Sequence, residues 1–296
     1  MLGYFITMIM SHNFYKKYHF AINRFIDNAL IEDVEMGDHS GQACFDNQLE
    51  KSTVLKVKED CIIAGIDLAE KIFKRFDHLI KLTRNFQDGE SLKKGTVAYT
   101  VKGPAKSLLS SERLVLNCMQ RMSGIATFTH QLNQKIKHTK CKILDTRKTT
   151  PGFRYPEKWA VTIGGGYNHR MGLFDAIMIK DNHVDFCGGM QNTLLKIKDY
   201  LEISQLKIDV VVEVRNQIEI EAVMEFPWVK RILLDNMEPS QIQEKVSWIK
   251  NSFETEASGN INENNLIQYA ETGVDFLSIG ALTHSAKNID LSLKAL

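Results

Sequence analysis

The second half of the chain repeats a short run of β-branched residues that ends in a polar residue or glycine and is followed by a helical stretch. The residues that end four successive runs recur at intervals of 22 or 23 positions: Glu213, Asp235, Ser258 and Gly280. One strand and one helix occupy this length, so the repeat predicts parallel βα units. These strand ends would meet at the mouth of an α/β barrel, or line one edge of a flat doubly wound sheet without facing one another.

The order of predicted strands and helices changes at Gly103-Pro104, which is the best signal of a domain boundary in the sequence. Upstream, the periodicity predicts helices over 14–30 and 66–76 and strands over 53–58, 78–86 and 96–102, an order typical of an α+β sandwich. Downstream, the predicted strands cover 142–145, 176–180, 210–213, 231–235, 257–259 and 276–280, and the predicted helices cover 191–200, 217–225, 240–250 and 263–271.

Ser111 is expected to cap a helix just after this boundary. The apolar stripe of that helix consists of Val115, Met119, Met122 and Ala126. A polar row lies on the opposite face: Arg113, Asn117 and Gln120. Such a row is usually a solvated surface, although its guanidinium could also bind a carboxylate.

Composition limits the possible partners and compartments. The 296 residues, 44% hydrophobic and 25% charged, suit one large α/β barrel or two modest domains, and a net charge of +1 provides no overall field for nucleic acid or an anionic membrane. Five cysteines without CxxC spacing are expected to be free thiols in a reducing cytoplasm. The apolar stretch from Leu2 to Met10 is shorter than the roughly 20 residues of a membrane span, and we interpret it as a short leader upstream of a start at Met8 or Met10.

A basic segment from Lys142 to Arg170 carries six basic and two acidic residues. Lys142 and Lys158 are expected on solvated faces. The other basic candidates follow a strand end or the Gly164–Gly166 turn, where side chains tend to face a ligand: Arg147, Lys148, His169 and Arg170. Guanidinium groups suit carboxylates and phosphates, so we expect a polyanionic substrate.

Acidic residues and small turns end the later strands. Glu213 and Asp235 could hold a hydrated Mg²⁺ on a pyrophosphate, or could be ordinary strand-end caps or counter-ions for Lys180 and Arg147. The turns Ser258–Asn260 and Ile279–Ala281 could bind a phosphate monoester through backbone N–H groups. P-loop, HExxH and GxSxG motifs are absent from the sequence, which disfavours the corresponding chemistries.

Together these stretches resemble a known family, in order from about Glu32 to the C-terminus. The matching stretches are 112–117, 120–127, 145–152, 157–161, 164–170, 179–183, 212–214, 234–236, 257–260 and 278–281. They are similar to the quinolinate phosphoribosyltransferases, which are carboxylating nicotinate-nucleotide pyrophosphorylases and type II phosphoribosyltransferases.

The resemblance implies an irregular α/β barrel of the seven-stranded type with an N-terminal α+β sandwich domain. The sandwich would cover 11–115, the barrel would cover 116–281, and 282–296 would return to the sandwich. It also implies a cytoplasmic homodimer that transfers phosphoribosyl from phosphoribosyl pyrophosphate to quinolinate, with loss of CO₂, in NAD biosynthesis.

Residue roles follow from the resemblance, position by position. Arg113 would reach the partner's site and hold the quinolinate carboxylates together with Arg147, His169 and Arg170, beside Thr146. Lys148 and Lys180 would balance charge near the phosphates and the departing carboxylate. Glu213 and Asp235 would engage the ribose and Mg²⁺, directly or through water. The 5′-phosphate would be bound by Ser258, Gly259, Asn260, Ile279, Gly280 and Ala281.

Three departures from the family pattern stand out: Pro156 before Glu157, Arg215 where a second acid is common, and the turn Gly37–Ser40. Two other functions stay open at this point. A related enzyme could act on nicotinate or a pterin-related acid, although the four cations are more than one carboxylate requires. A non-catalytic barrel could instead bind phosphorylated metabolites as a sensor or scaffold.

Overall fold

The computed structural model describes residues 2–46, 48–249 and 252–296, with side chains from residue 13 onward. The elements up to residue 163 are α1 (Leu2–Val34), α2 (His39–Cys44), β1 (Glu50–Val57), β2 (Cys61–Ile62), α3 (Ile66–Phe76), β3 (Lys81–Arg84), β4 (Ser91–Leu92), β5 (Val97–Pro104), α4 (Ala105–Ile136), β6 (Lys142–Leu144) and α5 (Arg154–Ile163).

The later elements alternate between strand and helix. They are β7 (Ala176–Ile179), α6 (Asp181–Cys187), α7 (Met190–Ser204), β8 (Asp209–Val214), α8 (Gln217–Met224), β9 (Arg231–Asp235), α9 (Pro239–Ile249), β10 (Glu254–Ser258), α10 (Leu266–Ala270), β11 (Phe276–Ser278), α11 (Ala281–His284) and β12 (Leu291–Ala295). Lys250, the last residue of one predicted helix, lies outside the described residues.

The chain forms two compact units. The first unit comprises residues up to Gln131, Lys148–Gly166 and Leu282–Leu296, and the second comprises Leu132–Arg147 and Tyr167–Ala281. None of the described helices combines the length and the hydropathy that a bilayer crossing requires.

An antiparallel sheet in the order β12-β1-β5-β3 lies in the first unit. Leu55 pairs with Tyr99 on β5 and with Leu293 on β12, so the C-terminal strand completes one side of the sheet. Leu55, Val57 and Tyr99 are fully buried and contribute to the hydrophobic core of this unit.

The second unit contains a parallel sheet in the order β6-β11-β10-β9-β8-β7. An isolated parallel bridge between Leu144 and Tyr167 adds a further chain segment beside β6. The apolar run Val210–Val212 is buried on both faces, as parallel strands require when helices cover the sheet. The predicted parallel βα repeat is therefore confirmed.

Several predicted elements have the predicted limits, and others do not. The helix over 66–76 and the strand over 231–235 are confirmed without change. The first helix runs from Leu2 to Val34 rather than from 14 to 30, with a break in helical geometry at Tyr18. The predicted leader therefore has helical backbone in α1, and its side chains lie outside the described ones.

The predicted helix cap at Ser111 is wrong. The helix α4 begins six residues earlier, directly after β5, and Ser111 lies in its interior. Its hydroxyl donates to the backbone oxygen of Ser107 at 2.6 Å, which is the local bond that serine makes inside a helix. Arg113 and Asn117 are exposed, as expected, whereas Gln120 donates to the backbone oxygen of Leu291 at 3.1 Å.

The expectation that Lys158 is solvated is also wrong, since this side chain is fully buried in α5, while Lys142 is exposed. The neighbouring Glu157 is buried as well and binds Arg121 at 3.0 Å and the backbone N–H of Thr150 at 2.9 Å. Pro156 occupies the first turn of the same helix, where its missing N–H removes no helical hydrogen bond.

The five cysteines are free, as predicted. Burial raises the pKa of both the Cys61 and Cys141 thiols to about 12, so these two groups stay protonated at neutral pH. Cys44 is exposed and Cys187 is half-buried. The buried thiols therefore act as small apolar side chains of the core.

Gly124 provides a test of packing in the first unit. A Cβ at this position would lie 2.0 Å from the backbone oxygen of Lys287, which cannot move as a side chain can. Overpacking costs about 1–3 kcal/mol, which exceeds the roughly 1 kcal/mol that alanine gains over glycine in a helix. We therefore expect Gly124→Ala to lower the melting temperature, and Asn117→Ala on the exposed face of α4 to leave it unchanged or raise it. An equal response of both variants would contradict this packing.

Candidate active site

Five polar residues and one glycine lie at or near the carboxyl ends of the six parallel strands. They are Asp145 after β6, Lys180 after β7, Glu213 within β8, Asp235 at the end of β9, Ser258 at the end of β10 and Gly280 after β11. Ser258 pairs with Asp235, and Glu213 pairs with Leu233, so the strands end almost in step. Because the register is parallel, residues up to 135 positions apart lie along one edge.

Lys180 and Glu213 form an ion pair at this edge. The lysine Nζ lies 3.1 Å from the glutamate Oε2, and the side chains are 49% and 9% exposed, respectively. The backbone N–H of Lys180 donates to His183 Nδ1 at 3.0 Å, which fixes the start of α6. The pair therefore presents one accessible cation above a nearly buried carboxylate.

Asp235 receives a donor at each carboxylate oxygen. Ser258 Oγ donates to Oδ1 at 2.6 Å, and Asn236 Nδ2 donates to Oδ2 at 2.7 Å. The backbone N–H of Asn236 donates to the backbone oxygen of Ser258 at 2.9 Å. These bonds join the ends of β9 and β10 and orient the carboxylate.

Gly259 and Asn260 follow directly, and both have left-handed backbone, with φ of +101° and +50°. Asparagine tolerates this region better than most residues, and glycine does so without steric cost. Left-handed residues also occur in the turns whose backbone N–H groups bind anions.

The segment after Gly166 runs beside β6. The backbone N–H of Tyr167 donates to the Ile143 oxygen at 2.8 Å, and the Tyr167 oxygen accepts from the N–H of Asp145 at 3.1 Å. The buried Asp145 carboxylate then accepts from Asn168 Nδ2 at 2.6 Å and from the backbone N–H of His169 at 2.8 Å. The bonds made by one carboxylate thus place residues 168–170 at the end of β6.

Arg170 is part-buried and lies near the charges of both Arg147 and Asp175. Its Nη1 donates to the backbone oxygen of Ala176 at 3.3 Å, and its buried Nε has no hydrogen-bond partner among the residues that the structure describes. Burial and the neighbouring charge of Arg147 lower the pKa of this guanidinium. The like charge of Arg147 near Arg170 would favour the binding of an anion.

Glu256 is a site residue that the sequence reasoning missed. It is fully buried on β10, and its Oε2 lies 3.4 Å from His169 Nε2 and 3.0 Å from Arg231 Nη1. Burial opposes ionisation, but contacts with His169, Arg231 and Ser278 hold the pKa of this carboxyl below its ordinary value. Its spacing of two residues from Ser258 was the available signal, because alternate residues of a strand share a face.

Comparison with known proteins gives a consistent match over most of the chain. The family model "Quinolinate phosphoribosyl transferase, N-terminal domain" matches residues 38–123, and the model for the C-terminal domain of the same family matches residues 125–294. The chain belongs to the quinolinate phosphoribosyltransferase family.

Individual relatives agree with this assignment. The chain is 44% identical over 284 residues to a tobacco (Nicotiana tabacum) "Quinolinate phosphoribosyltransferase [decarboxylating] 1b", covering 91% of this chain and 81% of that protein. It is 38% identical to a "Probable nicotinate-nucleotide pyrophosphorylase [carboxylating]" of Bacillus subtilis, covering 93% of both chains. The solved nicotinate-nucleotide pyrophosphorylase of Francisella tularensis superposes with a TM-score of 0.86 at 36% identity, covering 93% of this chain and 96% of the other.

Other residues implied by the family resemblance occupy varied positions. Thr146 is half-buried and Arg147 is exposed, directly after β6. In the turn Ile279–Ala281, the backbone N–H of Ile279 donates to the Leu144 oxygen at 3.0 Å. Arg113 and Lys148 belong to the first unit and are both exposed.

Two departures from the family pattern have local structural roles. Arg215 binds Glu219 Oε1 at 2.6 Å and Asp185 Oδ1 at 3.0 Å, so its charge is balanced by acids of α8 and α6. Asp38, in the unusual turn, caps α2 by accepting the N–H of Gly41 at 2.9 Å and also accepts Ser110 Oγ at 2.8 Å.

The turn after β10 generates a prediction about stability. A Cβ on Gly259 would lie 2.2 Å from Asn236 Oδ1, whereas a Cβ on Gly188, which also has left-handed φ, would meet only Asn192 Nδ2 at 3.6 Å. Both alanine variants pay the left-handed penalty, but only Gly259→Ala adds about 1–3 kcal/mol of overpacking. We expect urea denaturation to show that extra loss for Gly259→Ala. Equal losses would show that Asn236 can move away without cost.

Proposed function

We propose that this protein transfers the phosphoribosyl group of phosphoribosyl pyrophosphate to the ring nitrogen of quinolinate and decarboxylates the adduct. The products are nicotinate mononucleotide, pyrophosphate and CO₂, so the enzyme is a pentosyltransferase of NAD biosynthesis. The observation that carries the proposal is the like charge of Arg147 near Arg170, whose buried Nε has no hydrogen-bond partner among the described residues. An aromatic diacid relieves that repulsion, whereas a monoacid balances only one charge.

The acceptor is bound by the positive part of this edge. Arg147 and Arg170 hold the two carboxylates, beside Thr146, with His169 next to Arg170 in the same subsite. The buried Arg170 Nε, which has no partner among the described residues, is available to a carboxylate oxygen. Arg113 adds a further cation from a partner subunit.

The sugar and phosphates are bound by the other part of the edge. Glu213 and Asp235 accept hydrogen bonds from the ribose hydroxyls. The turns Ser258–Asn260 and Ile279–Ala281 bind the 5′-phosphate through backbone N–H groups, a role supported by the left-handed geometry of Gly259 and Asn260.

Mg²⁺ is the metal that this site suits. The described residues contain no cluster of three or more His, Cys, Asp or Glu side chains that would form a protein cage for a metal. Two carboxylates on neighbouring strands, Glu213 and Asp235, instead match the preference of Mg²⁺ for one or two protein oxygens together with water and phosphate. When bound, Mg²⁺ supplies charge neutralisation for the leaving pyrophosphate.

The reaction requires no protein nucleophile. The bond between ribose C1 and the pyrophosphate oxygen breaks with its electron pair going to pyrophosphate, and the quinolinate nitrogen donates its lone pair to C1. The bond to the 2-carboxylate then breaks, CO₂ leaves, and its electron pair remains on ring carbon 2, which takes up a proton. Lys148 and Lys180 balance the charges of the phosphates and of the departing carboxylate during these steps.

The finer architecture belongs to the same proposal. We infer that the parallel sheet curves into an irregular barrel in which the Tyr167 segment takes the seventh strand position between β6 and β7, a view supported by the Leu144–Tyr167 bridge. The working form is a homodimer in which Arg113 of each subunit reaches the site of the other. Five free thiols support a reducing compartment such as the cytoplasm.

Product analysis tests the reaction. Incubation of the protein with quinolinate, phosphoribosyl pyrophosphate and Mg²⁺ is expected to yield nicotinate mononucleotide and equimolar pyrophosphate and CO₂, with none formed in EDTA. Lys180→Ala is expected to lower the turnover number by about 100-fold or more, because a charge at the reacting groups is lost. Its melting temperature should change little, since the side chain is half exposed.

Lys230→Ala is the matched control for that experiment. Lys230 also pairs with a carboxylate, Asp209 at 2.6 Å, but it lies beside the amino ends of the strands in the same unit. Near-wild-type turnover by Lys180→Ala, or an equal loss in Lys230→Ala, would count against the proposed site. Product formation from nicotinate as readily as from quinolinate would count against a dicarboxylate as the specific acceptor.

A complementation experiment tests the shared site of the dimer. Arg113→Ala and Lys180→Ala are each expected to be nearly inactive, because every site then lacks one of the two residues. Co-expression of the two variants should restore about a quarter of the wild-type activity, since half of the dimers are mixed and each of those has one intact site. No recovery in mixed dimers, verified with two affinity tags, would show that Arg113 does not act in the partner's site.

A further inference from the structure

Glu256 is a fully buried carboxylate in the interior of the second unit. Burying a lone carboxylate costs several kcal/mol, so its partners indicate why it is present. Arg231 Nη1 lies at 3.0 Å from Oε2, Ser278 Oγ donates to Oε1 at 2.5 Å, and His169 Nε2 lies at 3.4 Å from Oε2. Three donors therefore converge on one carboxylate.

The support beneath Glu256 is rigid. Arg231 is held on its other side by Glu254 Oε2, which accepts from Nε at 3.0 Å and from Nη2 at 2.8 Å. Its guanidinium also lies over the Phe276 ring, 3.9 Å from the ring centroid. Arg231, Glu256 and Ser278 belong to three adjacent strands, β9, β10 and β11, so the carboxylate is fixed by the sheet itself.

The His169 ring is fixed from both sides. Its Nδ1 accepts the backbone N–H of Arg170 at 2.7 Å, so in the neutral ring the proton is on Nε2, the atom that faces Glu256. The side chain is 7% exposed, and the backbone N–H of His169 donates to Asp145 at 2.8 Å. Two buried carboxylates thus hold the residues just before Arg170: Asp145 binds Asn168 and the His169 backbone, and Glu256 contacts the His169 ring.

We propose that Glu256 is a positioning residue for the acceptor subsite: its carboxylate orients the His169 ring and thereby fixes the segment that presents the Arg170 guanidinium to the diacid. This inference rests on the proposed function, in which His169 and Arg170 bind quinolinate. Glu256 itself is fully buried, and its role is to act through the His169 ring.

The negative charge of Glu256, rather than its shape, is what this role needs. A glutamine in its place has one acceptor oxygen and one NH₂ donor, while three donors converge on the carboxylate. Either His169 or Arg231 would then face another donor, and the ring or the cation beneath it would move. The contact of Glu256 with His169 is weaker than its contact with Arg231, since His169 Nε2 makes no aligned hydrogen bond with any described residue.

Steady-state kinetics of Glu256→Gln, with Glu254→Gln as the matched control, test the proposal. Glu254 lies on the same strand and binds the same Arg231, but it has no contact with His169 among the described residues. Glu256→Gln is expected to raise the KM for quinolinate by about tenfold or more, with the KM for phosphoribosyl pyrophosphate within about twofold of wild type. Glu254→Gln should leave both within about twofold. Equal changes in both KM values for Glu256→Gln would overturn the proposal.

A double-mutant cycle separates positioning from general support. If Glu256 acts through His169, the Glu256→Gln change should raise the quinolinate KM by less than about twofold in a His169→Asn background. Full additivity of the two changes would show that Glu256 acts by another route and would overturn the proposal.

Ring ¹⁵N NMR provides a readout that does not depend on turnover. The signals of His169, assigned by their loss in His169→Asn, should shift in Glu256→Gln and stay in place in Glu254→Gln. Unchanged signals in Glu256→Gln would refute the positioning contact. Shifted signals in a protein that forms no product would instead refute the proposed function and leave the contact established.

Folding of the variants is checked by thermal denaturation. If Glu256→Gln leaves Arg231 with Glu254 as its one carboxylate and unfolds the protein, the double variant Arg231→Met with Glu256→Gln removes both ions together. The same selective rise in the quinolinate KM is expected from that pair, and its absence in a folded variant would overturn the proposal.

Discussion

The parallel register of the second sheet is the constraint on which the candidate site depends. Ser258 pairs with Asp235, Ser278 pairs with Leu144, and Glu213 pairs with Leu233, so the strands deliver their ends almost in step. A shift of one residue in any strand would turn its polar residue toward the opposite face. The buried apolar residues between them, such as Val212 and Leu234, make such a shift costly, because it would expose their side chains or bury charges.

Charge is separated along this edge, and each charge is held by a different kind of partner. The acidic side chains are anchored by neutral or cationic donors, as in the bonds of Ser258 and Asn236 to Asp235. The segment 168–170 is anchored through its backbone and through the His169 ring. Such fixed charges need little reorganisation when an anionic substrate binds, and this is the main source of electrostatic catalysis in a site without a nucleophile.

Periodicity in the sequence predicted the elements whose stability depends on local pattern. The helix Ile66–Phe76 has a strong apolar face and acids and bases at the favourable ends, and its limits were predicted without error. The pattern did not reveal that α4 begins before Ser111, whose hydroxyl bonds to the backbone oxygen of Ser107 one turn earlier. It also did not reveal that Lys158 is buried, because that burial depends on tertiary packing. The strand β10 was predicted too short because glutamate is depleted in strands, and β10 contains Glu254 and Glu256. In the structure Arg231 forms ion pairs with both carboxylates and so balances their charge.

The limits of sequence pattern also explain why the strand-end residues were predicted as candidates and Glu256 was not. Residues at the ends of strands are marked by a change from apolar to polar sequence, and the topology brings them together whatever their individual contacts are. A buried charge within a strand has no such mark, since its partners, here Arg231, Ser278 and His169, come from other strands and from a loop. Removing Glu256 alone would leave Arg231 with one carboxylate fewer and the His169 ring without this contact.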